Sequence, residues 1–78
     1  MNIHEIIALW DRGEMPQDLS VLAAMQSKVE DYLKQAREGY NKSKRQAALD
    51  AYWSEIVVYN AIVIDVETAI NKAIPEPQ

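Results

Sequence analysis

LDAYWSEIVVYNAIVIDVETAINKAI, residues 49–74, runs for 26 residues without Gly or Pro and is far more apolar than a helix with one wet side needs. Leu49, Tyr52, Ile56, Tyr59, Val63, Val66, Ile70 and Ala73 recur at spacings of three and four, the rhythm that lays a continuous apolar seam along one side of a helix. A second stripe, Trp53, Val57, Ala61, Ile64 and Thr68, and a third, Val58, Ile62 and Ala69, fall on other faces of the same helix. One neighbouring helix covers one seam, so the pattern predicts further partners for the rest. The cluster IVVYNAIVIDV also suits a strand, because β-branched residues favour sheets. Its flanks QAALDAYW and VETAINKAI are strongly helical, however, no turn signal parts them from the centre, and no second strand-like segment is there to pair with it. A membrane span is excluded on charge. Asp50, Glu55, Asp65 and Glu67 interrupt the run, and its longest charge-free piece, Ile56 to Ile64, is far short of the ~20 residues a crossing requires.

Upstream, Pro16 suits the first turn of a preceding helix and Asp18 sits near that helix's positive end. Leu22, Met25, Val29, Tyr32, Ala36 and Tyr40 continue at spacings of three or four, opposite the polar Gln26, Ser27, Glu30, Lys34 and Gln35. Gly39 supplies a left-handed terminator, and Ser43 followed by Gln46 reads as a capping box that restarts the chain. A link of about four residues makes the two long helices antiparallel neighbours. At the N-terminus, Asn2 with Glu5 reads as another capping box. Ile3, Ile6, Ile7 and Trp10 then share one face before Asp11, Arg12 and Gly13 stop the helix, giving an amphipathic clip over the end of the hairpin. The expected architecture is therefore all-α and a single domain, residues 1–78. It has helices at about 3–12, 16–39 and 44–74 and a Pro-Glu-Pro-Gln tail at 75–78 that cannot extend the last helix.

Below ~70–80 residues one hydrophobic core rarely supplies more than a few kcal/mol. Pairing the surplus apolar faces of the last helix between chains adds the missing burial. The sequence thus predicts a homodimer or higher oligomer, with Tyr52, Trp53, Ile56, Val57, Tyr59, Val63, Val66 and Ile70 at the interface.

Composition narrows the chemistry. Twelve acidic against eight Lys and Arg side chains give a net charge of −4, which disfavours duplex nucleic acid and anionic membrane surfaces as partners. The absence of cysteine removes disulfides, thiolate nucleophiles and Cys-ligated metals. His4 has no second histidine at metal-site spacing and reads as a surface or capping residue. Ser20, Ser27, Ser43 and Ser54 have no recognisable base, the two glycines cannot cradle a phosphate, and Asp65 and Glu67, two apart, point to different sides of a helix. No enzyme, cofactor or metal site is expected. The start MNIHEIIALWDRGE lacks the basic region and cleavage site of a signal peptide, which predicts a cytoplasmic protein; the Asn41-Lys42-Ser43 sequon is then without consequence. The cations are unevenly spread. Lys34, Arg37, Lys42, Lys44 and Arg45 crowd twelve residues around the hairpin turn, with Tyr40 among them and only Glu38 opposing. That basic tip suits an anion, since guanidinium forks grip phosphates and aromatic faces stack on bases.

The segment Ala69-Ile70-Asn71-Lys72-Ala73-Ile74, followed by Pro77, resembles the closing turn of the helical-hairpin family of phage nucleotide sponges, the anti-CBASS and anti-Thoeris proteins. The size, the short N-terminal element and Trp53 within the last helix are similar too, although Trp10-Asp11-Arg12 is only the nearest counterpart of that family's Tyr-Arg element. The resemblance implies a non-enzymatic immune-evasion protein of the host cytoplasm that oligomerises and sequesters a cyclic nucleotide or related signal. Trp10 and Tyr40 are then the candidate stackers, and Arg12, Lys28, Arg37, Lys44 and Arg45 the candidate phosphate partners. The competing expectation is a small protein-binding module, an inhibitor or assembly adaptor, that docks an exposed apolar helix face on a host protein.

Overall fold

A computed structural model describes residues 1–74 and folds them into α1 (Ile3–Asp11), α2 (Leu19–Lys42) and α3 (Gln46–Ala73), with no strand among the described residues. The expectations placed on the tail, Pro77 included, lie outside those residues.

Both ends of α1 follow from local chemistry. The Asn2 side chain accepts from the Glu5 amide at 2.9 Å, satisfying one orphan N–H. At the other end Gly13 adopts φ +72°, its amide donates to the Trp10 carbonyl, and the Glu14 amide donates to that of Leu9, the two bonds of a Schellman motif. The boundaries of α2 differ from expectation. It starts at Leu19, not at Pro16, because the Asp18 carboxylate accepts from the amides of Ser20 at 2.8 Å and Val21 at 3.3 Å and so fixes the N-cap. Those bonds, with one from the Ser20 hydroxyl, hold the Asp18 carboxyl below its ordinary value; the hydroxyl is the largest contributor.

Gly39 does not end α2. The helix continues to Lys42, and Gly39 serves instead as a point of close approach: a Cβ there would stand 2.5 Å from Cε1 and Cζ of Tyr52. The lack of a side chain lets the tyrosine ring lie on the α2 backbone. Ser43 and Gln46 do not form a capping box either. Ser43 closes α2 in extended conformation, Arg45 occupies the N-cap of α3 without a side-chain bond, and Gln46 Nε2 donates instead to Asp50 Oδ1 at 2.9 Å.

The two long helices pack against each other. Their contacts step from Gln26–Glu67 through Tyr32–Tyr59, rings 6.1 Å apart, to Tyr40–Trp53 near the turn. The core comprises Leu22, Met25, Val29, Leu33 and Ala36 of α2, Ile56, Tyr59, Ile62 and Val66 of α3, and Ile3 and Ile6 of α1. Leu33 joins the α2 seam where spacing alone selects its neighbour Tyr32; the two straddle the seam line, and Tyr32 is half-buried against Tyr59. Burial, followed by the nearby Glu55 charge, pushes the Tyr59 phenol above its ordinary value.

The three faces of α3 meet three different fates. The seam expected to pair between chains is covered by α2 of the same chain. Ile56, Tyr59 and Val66 are buried there, while Tyr52, Val63 and Ile70 are half-buried against the same core. Of the eight expected interface residues only Trp53 and Val57 remain exposed, because a neighbour three residues away in sequence reaches the seam before any second chain does. The third stripe is covered by α1, which lies along the flank of the long helices and not over their end. Ile62 is fully enclosed, Val58 and Ala69 are half-buried, and Trp10 is tied to Asp65 on that side. The second stripe is left open, with Trp53 56%, Val57 51% and Ile64 62% exposed.

Contrary to the expectation drawn from its charges, α3 is long and apolar enough to cross a membrane by length and composition alone, the one such helix among the described residues.

Candidate functional site

The turn between α2 and α3 gathers the residues best suited to hold an anion. Lys34, Arg37, Lys42, Lys44 and Arg45 are all exposed. The ion pair found among the described residues, Arg12 Nε with Glu14 Oε2 at 3.2 Å, lies near the other end and leaves these five cations unpaired. Arg37 Nη2 donates to Asn60 Oδ1 at 3.3 Å, which orients the guanidinium across the groove between the long helices. Tyr40 and Trp53, one from each helix, meet with ring centroids 6.0 Å apart and planes tilted by 49°. These groups line a recess of about 380 Å³ together with Asn41 and Ile56. A second recess of about 230 Å³ opens beyond the same pair, bounded by Gln46, Leu49 and Asp50. The larger is within the size range of small-molecule sites. It combines a guanidinium fork for phosphate, a half-exposed indole face for stacking, and amide groups for ring edges.

The residues proposed from sequence separate into three places. Arg37 and Tyr40 line the tip recess, with Lys44 and Arg45 exposed at the adjoining turn. Lys28 borders a different hollow, of about 450 Å³, beside Ile6 and Met25. Trp10 is at the far end, where its Nε1–H donates to Asp65 Oδ2 at 2.7 Å, and Arg12 follows it, engaged with Glu14. At about 1.5 Å per residue, Asp65 lies about 30 Å along α3 from Arg45, so Trp10 and Arg12 do not share a site with the tip of their own chain.

Trp10 instead walls a cleft of about 660 Å³ with Met15, Pro16, Thr68 and Lys72. Its indole N–H is already committed, and the nearest carboxylate, Asp65, already has a donor. That cleft offers an apolar wall and one cation, which suits an anion less well than the tip does. The sequence-derived ligand set lacks Trp53 and Asn60. Their places opposite Tyr40 and Arg37 depend on how the two helices are paired, which spacing within either helix does not reveal.

The Ser54 hydroxyl donates to the Asp50 carbonyl at 3.0 Å and the Thr68 hydroxyl to that of Ile64 at 2.9 Å, each bonded back to its own helix. No group of three or more His, Asp or Glu side chains able to hold a metal ion occurs among the described residues. Comparison of the chain with protein-family models, with curated proteins and with solved structures finds no match.

Proposed function

We propose that this chain is a non-enzymatic, self-associating helical module, an antiparallel hairpin with an N-terminal clip, that sequesters a phosphate-bearing signalling nucleotide at its basic tip. A cyclic nucleotide acting as an immune signal is the ligand class suggested by the family resemblance. The observation that carries the reading is the juxtaposition of Arg37, held by Asn60, with the Tyr40–Trp53 pair in one recess, with Lys44 and Arg45 exposed at the adjoining turn. The exposed stripe of α3 gives the module its self-association surface. Intact duplex nucleic acid is a poor partner, because the tip is small and the chain as a whole is acidic. A membrane location is disfavoured by α2, which occupies one side of α3 and carries exposed Lys28, Glu30, Asp31, Lys34 and Glu38 that would be costly in hydrocarbon.

Native mass spectrometry with a panel of cyclic di- and trinucleotides and ADP-ribose derivatives tests the proposal. Uptake of one ligand in a fixed ratio without turnover is the expected result, and Arg37→Glu with Arg45→Glu abolishes it. Uptake unchanged in that double variant removes the tip as the site, and no uptake across the panel overturns nucleotide sequestration. The second reading, docking on a host protein, rests on the same exposed Trp53, Val57 and Ile64. It gains weight where the protein ignores every nucleotide.

A further inference from the structure

The face of α3 turned away from α1 and α2 carries an order of residues that selects one way of pairing with a second copy. Trp53, Val57, Ala61, Ile64 and Thr68 form its apolar line, and Ala61, at the middle, is small enough to let another helix approach closely. The acids nearest this line in its middle part are already engaged, Asp65 with Trp10 and Glu67 with Gln26. Asp50, one of whose carboxylate oxygens accepts from Gln46, and Lys72, both exposed, stand at its two ends, eleven residues before and eleven after Ala61. At 100° per residue each projects within about 20° of the direction of Ala61, so both belong to the same face.

We infer that two copies pair through this face in antiparallel fashion about a two-fold axis at Ala61, with Asp50 of each chain set against Lys72 of the other. The inference rests on the proposed self-association surface and specifies its direction and register. A two-fold axis perpendicular to the helices preserves the side on which a residue projects and reverses its height. It therefore brings Asp50 to Lys72, Ser54 and Trp53 to Thr68, Val57 to Ile64, and Ala61 to its own copy. Every large exposed side chain of the line thus meets a small or aliphatic one, and both ends carry opposite charges. The parallel alternative sets Asp50 against Asp50 and indole against indole, and leaves Lys72 without an acid. Charge pairs of this kind fix register and orientation more than affinity.

The pairing also has a consequence for the ligand site. It carries the tip of each chain to the Thr68–Lys72 end of its partner, so the partner's Lys72 and its 660 Å³ cleft come to lie beside the Trp53 recess. The two tips are kept apart and the dimer has two separate sites, each bordered by both chains.

The chain has no cysteine, so single introduced thiols report the geometry. Ser54→Cys and Thr68→Cys are exposed, near-isosteric changes whose helicity is checked by circular dichroism. Under mild oxidation an equimolar mixture of the two variants is expected to give the mixed cross-linked dimer, with neither variant cross-linking alone. In the antiparallel register like positions stand about 21 Å apart along the helix, whereas a disulfide needs Cα atoms within about 7 Å. Self-cross-linking of each variant with no mixed product overturns the antiparallel register while leaving self-association intact. A wild-type chain that sediments as a monomer at high concentration overturns the self-association reading itself, and the register with it. As a second measure, Asp50→Lys is expected to weaken dimerisation about fivefold at low salt, and adding Lys72→Asp to restore it. Dimerisation indifferent to both changes removes the charge pair.

Discussion

Replacing Ile62 with Ala and, separately, Ile64 with Ala puts the assignment of faces on α3 to a direct test. The two residues are alike in chemistry and two positions apart, but Ile62 is fully enclosed and Ile64 is 62% exposed. Ile→Ala at an enclosed site forfeits about 2 kcal/mol of transfer free energy, at about 0.8 per buried methylene. The cavity left between α1, α2 and α3 adds to this, for a total of about 3 kcal/mol. At about 0.05–0.15 kcal/mol per residue a chain of this length has roughly 4–12 kcal/mol of stability, so the Ile62 variant loses a large share of it. The same change at Ile64 costs about 0.5 kcal/mol or less in a separated chain. Urea denaturation followed by far-ultraviolet circular dichroism, at several protein concentrations, distinguishes them. The Ile62 penalty is expected at every concentration, and any Ile64 penalty only where the chain associates, because only binding energy scales with concentration. Equal penalties at high dilution would refute the placement of the seam, and with it the role given to α1 as the cover of that flank.

Gly39 and Tyr52 form a coupled pair. Ala at position 39 gains about 1 kcal/mol of helix propensity but drives its Cβ into the Tyr52 ring, an overpacking worth about 1–3 kcal/mol, so Gly39→Ala alone is expected to destabilise or leave stability unchanged. In a Tyr52→Ala background the same change becomes stabilising, and a denaturant double-mutant cycle without coupling would contradict the close approach. Asp18 gives a pH test. Because its folded carboxyl lies below the ordinary 3.8, its contribution is present above that value and is lost as pH falls through the folded one. Asp18→Asn keeps a capping side chain but cannot titrate, so the difference in Tm between the two proteins should change below pH 3.8 and stay flat above it. A difference that is flat throughout would show that the Asp18 carboxylate is not held by the helix N-terminus.

Much of the local structure was legible in the chain, because helix periodicity and the chemistry of helix ends act over four or five residues. The uninterrupted run from Leu49 announced α3, the Asn2 and Gly13 signals bounded α1, and the two-seam pattern announced a pair of packed long helices. Gly39 and Ser43 misled for a physical reason. A glycine that ends a helix and one that admits an aromatic ring from a neighbouring helix look alike in sequence, and only the position of Tyr52 tells them apart.

The candidate site was half legible. Clustering of Arg37, Tyr40, Lys44 and Arg45 around one turn is a property of sequence distance. The addition of Trp53 and Asn60, and the removal of Trp10 and Arg12 to a place about 30 Å away, follow from which helices lie side by side. The excess of apolar faces on α3 was likewise determined by the sequence alone, since hydrophobicity at a given helical angle needs no tertiary information. Which of those faces the chain covers for itself was decided only by the tertiary structure. α2 takes the first and α1 the third, and the stripe through Trp53, Val57 and Ile64 stays open because three helices joined by short links cannot surround one of their own number.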